Sequence, residues 1–161
     1  MSGFHIREAR LPEDRVSMLG FIDALQAFEL EFEKDRRVDA TVAAEYLAVM
    51  LSDVAKGNGK IFIAEGEDGA RLGWSAAHER EGPVFVVESL RLEGYLTELY
   101  VTEAARGLGV GRALIAACED WARSRKLPAL KIGAIAGNAR ALRIYEEAGF
   151  RPYAIELRKL F

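Results

Sequence analysis

The sequence predicts an α/β fold of the α+β kind: one mixed, mostly antiparallel central sheet flanked by about four helices. Three observations carry this expectation. Phe21, Leu25, Phe28 and Phe32, with Met18 and Ile22 beside them, recur at helical spacing, and so do Tyr46, Leu47, Met50, Leu51 and Val54. Two strand-like runs, 61–65 and 71–78, flank the turn Gly66-Glu67-Asp68-Gly69. From residue 95 onward the pattern alternates strand, helix, strand, helix. At 161 residues the chain fits one domain, 1–161, large enough to bury roughly 70% of its unfolded surface.

Phe4, Ile6 and Ala9 open a first strand that Pro12 ends, because proline has no N–H to give a ladder. The first helix is expected over residues 13–33 and the second over 41–56, where Gly57-Asn58-Gly59 stops it. Beyond the hairpin, residues 83–92 carry no decisive pattern, and 84–87 reads as a strand or an extended loop. A strand over 95–101 and a helix over 110–125 follow, the helix burying Val110, Leu114, Cys118, Trp121 and Ala122. Residues 130–135 read as a buried strand. Asn138 is an N-cap for a short helix over 139–148, closed by Gly149. Residues 150–161 are expected to add one or two last strands.

The formal net charge of −3 argues against a general nucleic-acid binder, which carries a basic excess. Cys118 is the only cysteine, so neither an intramolecular disulfide nor a cysteine-based zinc site is available, and a reducing, cytoplasmic setting is expected. It falls on a buried helix stripe, which makes it a packing residue. His5 and His78 stand far apart and suggest no metal. Residues 1–10 lack the apolar run of a signal peptide, and no stretch approaches the ~18 apolar residues of a membrane span.

The chemistry concentrates where the strand 95–101 runs into Arg106-Gly107-Leu108-Gly109-Val110-Gly111-Arg112 and a helix opens. Glycines permit positive φ and close approach to the backbone. Successive N–H groups at a helix start cradle an anion. The segment therefore reads as a phosphate or pyrophosphate site. The dinucleotide fingerprint fails because Arg112 stands where a glycine or alanine is required. The P-loop fails because no Gly-Lys-Ser/Thr follows.

Arg106-x-x-Gly109-x-Gly111 resembles the cofactor-binding signature of the GCN5-related N-acetyltransferase (GNAT) family. Glu98-Leu99-Tyr100-Val101 is similar to that family's central strand. Asn138-x-x-Ala141-x-x-x-Tyr145-x-x-x-Gly149-Phe150 resembles its second signature, and Ile6-Arg7-Glu8-Ala9 is a common family start. The resemblance runs through essentially the whole chain and is specific over residues 95–151.

The resemblance implies an acetyl-CoA-dependent N-acetyltransferase that moves the acetyl group to a primary amine by direct attack in a ternary complex. Backbone groups of Leu108, Gly109, Val110, Gly111 and Arg112, with Arg106 and Gly107 at the start of the loop, would hold the pyrophosphate. Leu99, Tyr100 and Val101 would pair with the pantetheine arm, and Asn138 would cap the last helix beside it. Arg140 and Arg143 are further candidates for the phosphates, or solvated helix charges. Tyr145 is expected as the general acid that reprotonates the thiolate. Glu98 is expected as the base; strand alternation puts it with Tyr100 on one face and Thr97, Leu99 and Val101 on the other. The carboxylates Glu29, Glu31, Glu33 and Asp35 would suit a cationic acceptor, or form a solvated face that Arg36 and Arg37 offset. A small-molecule amine is the expected acceptor, without nucleic acid or membrane partner, and the resemblance implies a homodimer. Two alternatives stay open: a non-catalytic acyl-CoA sensor, and a protein N-terminus or lysine as acceptor.

Overall fold

The computed structural model of the chain describes residues 3–161. Among them five strands form one sheet in the spatial order β1-β2-β3-β4-β5. These are β1 (Phe4–Glu8), β2 (Lys60–Gly66), β3 (Arg71–Glu81), β4 (Leu92–Val101) and β5 (Leu130–Ile132). The first four pair antiparallel, and β5 joins β4 in parallel. Five helices accompany them: α1 (Arg15–Glu29), α2 (Val42–Lys56), the single turn α3 (Glu88–Arg91), α4 (Val110–Ser124) and α5 (Ala139–Glu147). None of the described helices is long and apolar enough to cross a membrane.

The helical stripes read from the sequence become the two faces of the core. Met18, Phe21 and Ile22 of α1 join Leu47, Met50 and Val54 of α2 over Ile61, Ile63 and Trp74 of the sheet. On the opposite face, Val110, Leu114, Ile115, Cys118 and Trp121 of α4 cover Ala64, Ala77 and Leu96. Each large aliphatic side chain buried in this way stabilises the fold by about 1.5–3 kcal/mol. The stripe of α1 divides along its length. Phe21 enters the core, whereas Leu25 and Phe28 are half-buried and line a cavity.

The structure departs from the sequence expectation in four places. β5 ends at Ile132, short of residue 135, and is half-buried where a buried strand was expected. α1 stops at Glu29, short of residue 33, and turns follow. Residues 84–87 form no strand; Val86 N–H bonds Pro83 O at 2.9 Å in a turn that feeds α3, and β4 then starts at Leu92, earlier than expected. Residues 150–161 add no strand. Phe150 N–H to Tyr145 O, 2.9 Å, is the last backbone bond along the described chain, and residues 151–161 lie exposed. Their alternation of Tyr153, Ile155 and Leu157 with polar residues suits a strand, but no neighbouring strand meets it.

A buried ionic cluster locks β1 to the start of α1. Asp14, fully buried, accepts from Arg7 at 2.7 and 2.9 Å, from Arg71 at 3.1 Å and from the Arg10 N–H at 2.7 Å. Arg7 also reaches Glu65 on β2. The Arg7 guanidinium holds the Asp14 carboxyl well below the usual carboxylate range, against the opposing pull of burial. Because the folded-state pKa is depressed, this stabilisation is complete above about pH 4 and drains away as pH falls further. Asp14→Ala leaves two arginines facing an emptied site and should cost about 3–5 kcal/mol in urea unfolding at neutral pH. That deficit should shrink in acid.

Candidate functional site

β4 and β5 pair at only three positions, Gly94–Leu130, Tyr95–Lys131 and Leu96–Ile132. Past Leu96 the two strands diverge. β4 keeps its ladder to β3 but has no neighbour on the other side among the described residues. A cavity of about 940 Å³ opens in the gap, lined by residues 95–101 of β4, the chain leaving β5, the glycine-rich loop, α5 and the end of α1. The outward backbone groups of Leu99, Tyr100 and Val101 therefore face the cavity without a strand partner.

β4 also carries a bulge here. Ala76 stands opposite Glu98 and Ala77 opposite Leu96, which leaves Thr97 with no partner. Thr97 thus drops out of the expected alternation with Leu99 and Val101. Leu96 and Leu99 both pack on the α4 side. Glu98 and Tyr100 share the opposite face, as expected: Glu98 meets α2, and the Tyr100 ring lies 5.5 Å from that of Phe21.

The glycine-rich loop borders the cavity where α4 begins. Gly107 and Gly109 sit at φ of 80° and 85°, and a Cβ built on either meets nothing within 4 Å. The backbone demands glycine there, and the space above it is free for another molecule. α4's first bond runs from Ala113 N–H to Gly109 O at 3.0 Å. The N–H groups of Val110, Gly111 and Arg112 precede it and find no backbone acceptor among the described residues. With the positive end of the helix dipole, they form an anion cradle. Arg106 Nε donates to Val101 O at 3.3 Å, and its guanidinium stands 5.7 Å from the Phe28 ring centroid. Leu108 directs its side chain to solvent, and Arg112 pairs at 3.4 Å with Glu147.

α5 supplies the far wall. Asn138 caps it by accepting from Ala141 N–H at 3.1 Å, and Asn138, Arg140, Ala141, Tyr145 and Ala148 line the cavity; Arg143 does not. The cradle, the open edge of β4 and the free space over the glycines fit a ligand that is anionic at one end and amide-like along its length.

Two titratable groups face this cavity from opposite sides. Glu98 is only 6% exposed. The Tyr46 hydroxyl donates to its Oε1, while the buried Oε2 has no partner among the described residues. Burial pushes the Glu98 carboxyl up to about 7, with the Tyr46 bond pulling down and the charge of Glu29 adding to the rise. Tyr145 is half-buried, edge-on to Phe150 at 6.1 Å. Burial, then the charges of Glu98 and Glu29, push its phenol up to about 12. One cavity thus holds a carboxyl poised near neutrality and a phenol that keeps its proton.

Of the carboxylates Glu29, Glu31, Glu33 and Asp35, only Glu29, the last residue of α1, lines the cavity, and it accepts from Arg36 Nε at 2.6 Å. Glu33 and Asp35 instead pair with Arg158, and Glu31 is exposed. Cys118 packs in the core, its thiol directed at Ser75 Oγ at 3.3 Å, and burial pushes it up to about 12. Sequence reasoning missed Tyr46. It lies on the apolar stripe of α2 and reads as a core aromatic; only the position of Glu98 across the fold reveals its hydroxyl as a donor.

The chain is 35% identical over 100 residues to a mycothiol acetyltransferase of Thermomonospora curvata, covering 60% of this chain and 29% of that protein. It is 35% identical over 81 residues to an aminoglycoside N(6')-acetyltransferase type 1 of Stenotrophomonas maltophilia, covering 50% and 52%. The chain therefore spans about three tenths and about half of these relatives' lengths. A tetramutant of the BH1408 protein of Bacillus halodurans shares the fold with a TM-score of 0.83 at 20% identity, covering 98% of this chain and 99% of the other. The model of the acetyltransferase (GNAT) family matches residues 22–150, and the chain belongs to that family.

Proposed function

We propose that the chain transfers the acetyl group of acetyl-CoA to the primary amine of a small molecule, by direct attack in a ternary complex. The observation that carries this reading is one cavity bounded by an anion cradle, an unpaired strand edge, a buried carboxylate with a free oxygen and a tyrosine. The names of the curated relatives, for mycothiol and for aminoglycosides, support a small-molecule acceptor.

Val110, Gly111 and Arg112 hold the pyrophosphate of acetyl-CoA through their N–H groups, with Gly107 and Gly109 providing the approach. The open edge of β4 at Leu99, Tyr100 and Val101 pairs with the pantetheine amides, and a backbone N–H there stabilises the developing oxyanion. Acetyl-CoA supplies an electrophilic thioester. An alkylammonium acceptor, with a pKa near ~10.4, must lose a proton to attack. Glu98, whose carboxyl burial raises to about 7, takes that proton on Oε2, the buried oxygen that has no partner among the described residues. Tyr46 holds the other oxygen and thereby fixes the carboxylate in place. Tyr145 gives its proton to the departing thiolate. Incubation of acetyl-CoA with a panel of primary amines, following free thiol, tests the reading; no turnover with any of them would leave a binding domain.

Gly109→Glu places a carboxylate in the anion cradle on a backbone that disfavours side chains. Acetyl-CoA affinity in titration calorimetry should fall at least ~100-fold with the fold retained.

The wild-type rate should rise with pH through about 7 as Glu98 loses its proton. Glu98→Gln removes that limb and should lower kcat/KM ~10²–10⁴-fold at neutral pH, less in alkali, where the amine deprotonates itself. Tyr46→Phe removes the bond that lowers the Glu98 pKa, so the limb should move to higher pH while the alkaline plateau stays. A pH–rate profile unchanged in both variants would exclude Glu98 as the base.

Tyr145→Phe keeps the ring and removes only the proton. It should reduce kcat ~10²-fold or more with acetyl-CoA affinity intact. Turnover within about twofold of wild type, with chemistry still rate-limiting, would assign the thiolate's proton to another donor.

A further inference from the structure

One side chain closes the far end of the cavity without taking part in acetyl transfer. Tyr95 is the first residue of β4 to line the cavity. Leu96 packs on the α4 side, so Tyr95, its neighbour, points to the opposite face, that of Glu98 and Tyr100. It stands opposite Lys131, one pair before β4 and β5 part. Its phenol reaches across the point where the strands divide. The hydroxyl oxygen lies 3.2 Å from where a Cβ on Gly133, the first residue past β5, would stand. Glycine at this position lets the hydroxyl come close to the backbone.

β3 holds the ring in that position. His78 stands opposite Tyr95 in the ladder, and its ring meets the phenol edge-on at 6.1 Å. Arg80, two residues further along the same face, lays its guanidinium 4.6 Å from the ring centroid. Neither His78 nor Arg80 lines the cavity, and Glu93, the next β4 residue on this face, pairs with Lys131 outside it. The ring is thus a wall, with the cavity on one side and the Arg80 guanidinium on the other. Its hydroxyl is uncommitted. The Tyr46 hydroxyl is bound to Glu98, whereas that of Tyr95 meets no partner among the described residues. A phenol hydroxyl can both donate and accept a hydrogen bond.

We infer that Tyr95 decides which acceptors fit: its ring limits their length, and its hydroxyl binds a hydroxyl or carbonyl group at their far end. This role rests on the acetyl-transfer site proposed above, in which the attacking amine meets Glu98. Tyr95 and Glu98 share one face of β4, and the span between them along the strand is about 10 Å or less, at ~3.3 Å of rise per residue. The bulge at Thr97 shortens it further. The far end calls for no charge. Glu29 and Arg36, the ionic groups lining this half, satisfy each other at 2.6 Å, and Arg80 stands behind the ring. The acceptor class is therefore a short primary amine with a neutral hydrogen-bonding group at its other end, such as an amino alcohol. A plain alkylamine of the same length would cover the Tyr95 hydroxyl without giving it a partner, which is costly. A longer one would meet the ring.

Calorimetry on the CoA-saturated chain, with alkylamines and ω-amino alcohols of rising length, tests this, and thiol release from acetyl-CoA is followed in parallel with the same amines. The wild type should bind the best amino alcohol ~5–10-fold more tightly than the alkylamine of equal length, about the worth of one hydrogen bond. Its affinity should fall once the chain outgrows the span to Tyr95. Tyr95→Phe keeps the ring and its supports; it should erase the preference and leave the length limit. Tyr95→Ala should move the limit to longer chains, and if that variant does not fold, Tyr95→Phe alone decides. A wild type indifferent to the hydroxyl, a preference that survives Tyr95→Phe, or a limit unmoved in folded Tyr95→Ala overturns the inference. The expected binding pattern without thiol release from any amine would remove acetyl transfer and leave Tyr95 its role in binding. Thiol release with a pattern that neither variant alters would remove the role of Tyr95 alone.

Discussion

A strand in the middle of a sheet owes hydrogen bonds on both sides, and β4 has a neighbour on both sides only as far as Leu96. Everything at the site follows from how the second half of that strand is left. Its inner edge is held by β3, so the strand cannot collapse or twist away. Its outer edge holds backbone donors and acceptors in a fixed row at the wall of a cavity. Unpaired backbone groups in a partly dry cleft are costly unless something binds them. The fold keeps this row open by giving β5 only three paired residues and then turning the chain toward α5. The same divergence brings the start of α4, with its own unbonded N–H groups, to one end of the row.

The electrostatics of the cavity rest on burial more than on charge pairing. Glu98 has no cation beside it; its nearest polar contact is a phenol, which donates one bond and leaves the carboxylate's negative charge in place. Contrast Asp14, equally buried but clasped by two arginines, whose acidity is strengthened. Two buried carboxylates in one molecule are thus driven in opposite directions. The one in the ionic cluster is committed to the charged form and holds elements together. The one in the cavity is left able to gain and lose a proton.

Much of this was legible in the sequence. The glycines at 107 and 109, the cap at Asn138 and the stripe of α4 each announce a local requirement, positive φ, an orphan N–H, an apolar face, that a short stretch of residues meets by itself. What was not legible depends on distant partners. The pairing of Tyr46 with Glu98 joins residues far apart in the chain, and nothing in α2 distinguishes that ring from its apolar neighbours. The end of α1 at Glu29 was hidden because Phe28 and Phe32 continue the helical period while packing ring against ring at 5.2 Å beside the cavity. The tail misled for the converse reason: its alternation is that of a strand, but alternation states only what a segment would pack against if a surface were offered.

The unpaired residue at Thr97 separates two demands that a regular strand would have bound together. Side chains on a strand change sides at every step, so a strand that buries Leu96 against α4 would, without interruption, send residue 98 to that same side. The extra residue breaks the parity. The first half of β4 answers to the core and to β5, the second half to the cavity, and each can change its residues without dictating the other's orientation. The arrangement tolerates loss of the extra residue: without Thr97, Glu98 would follow Leu96 directly, and ordinary alternation would keep it facing Tyr46 in a straightened ladder. What it does not tolerate is Thr97 taken into the ladder. Paired with Ala76, Thr97 would claim the Tyr46 side and turn Glu98 into the apolar layer under α4. In this segment the register is a stricter requirement than the identity of the residue that interrupts it.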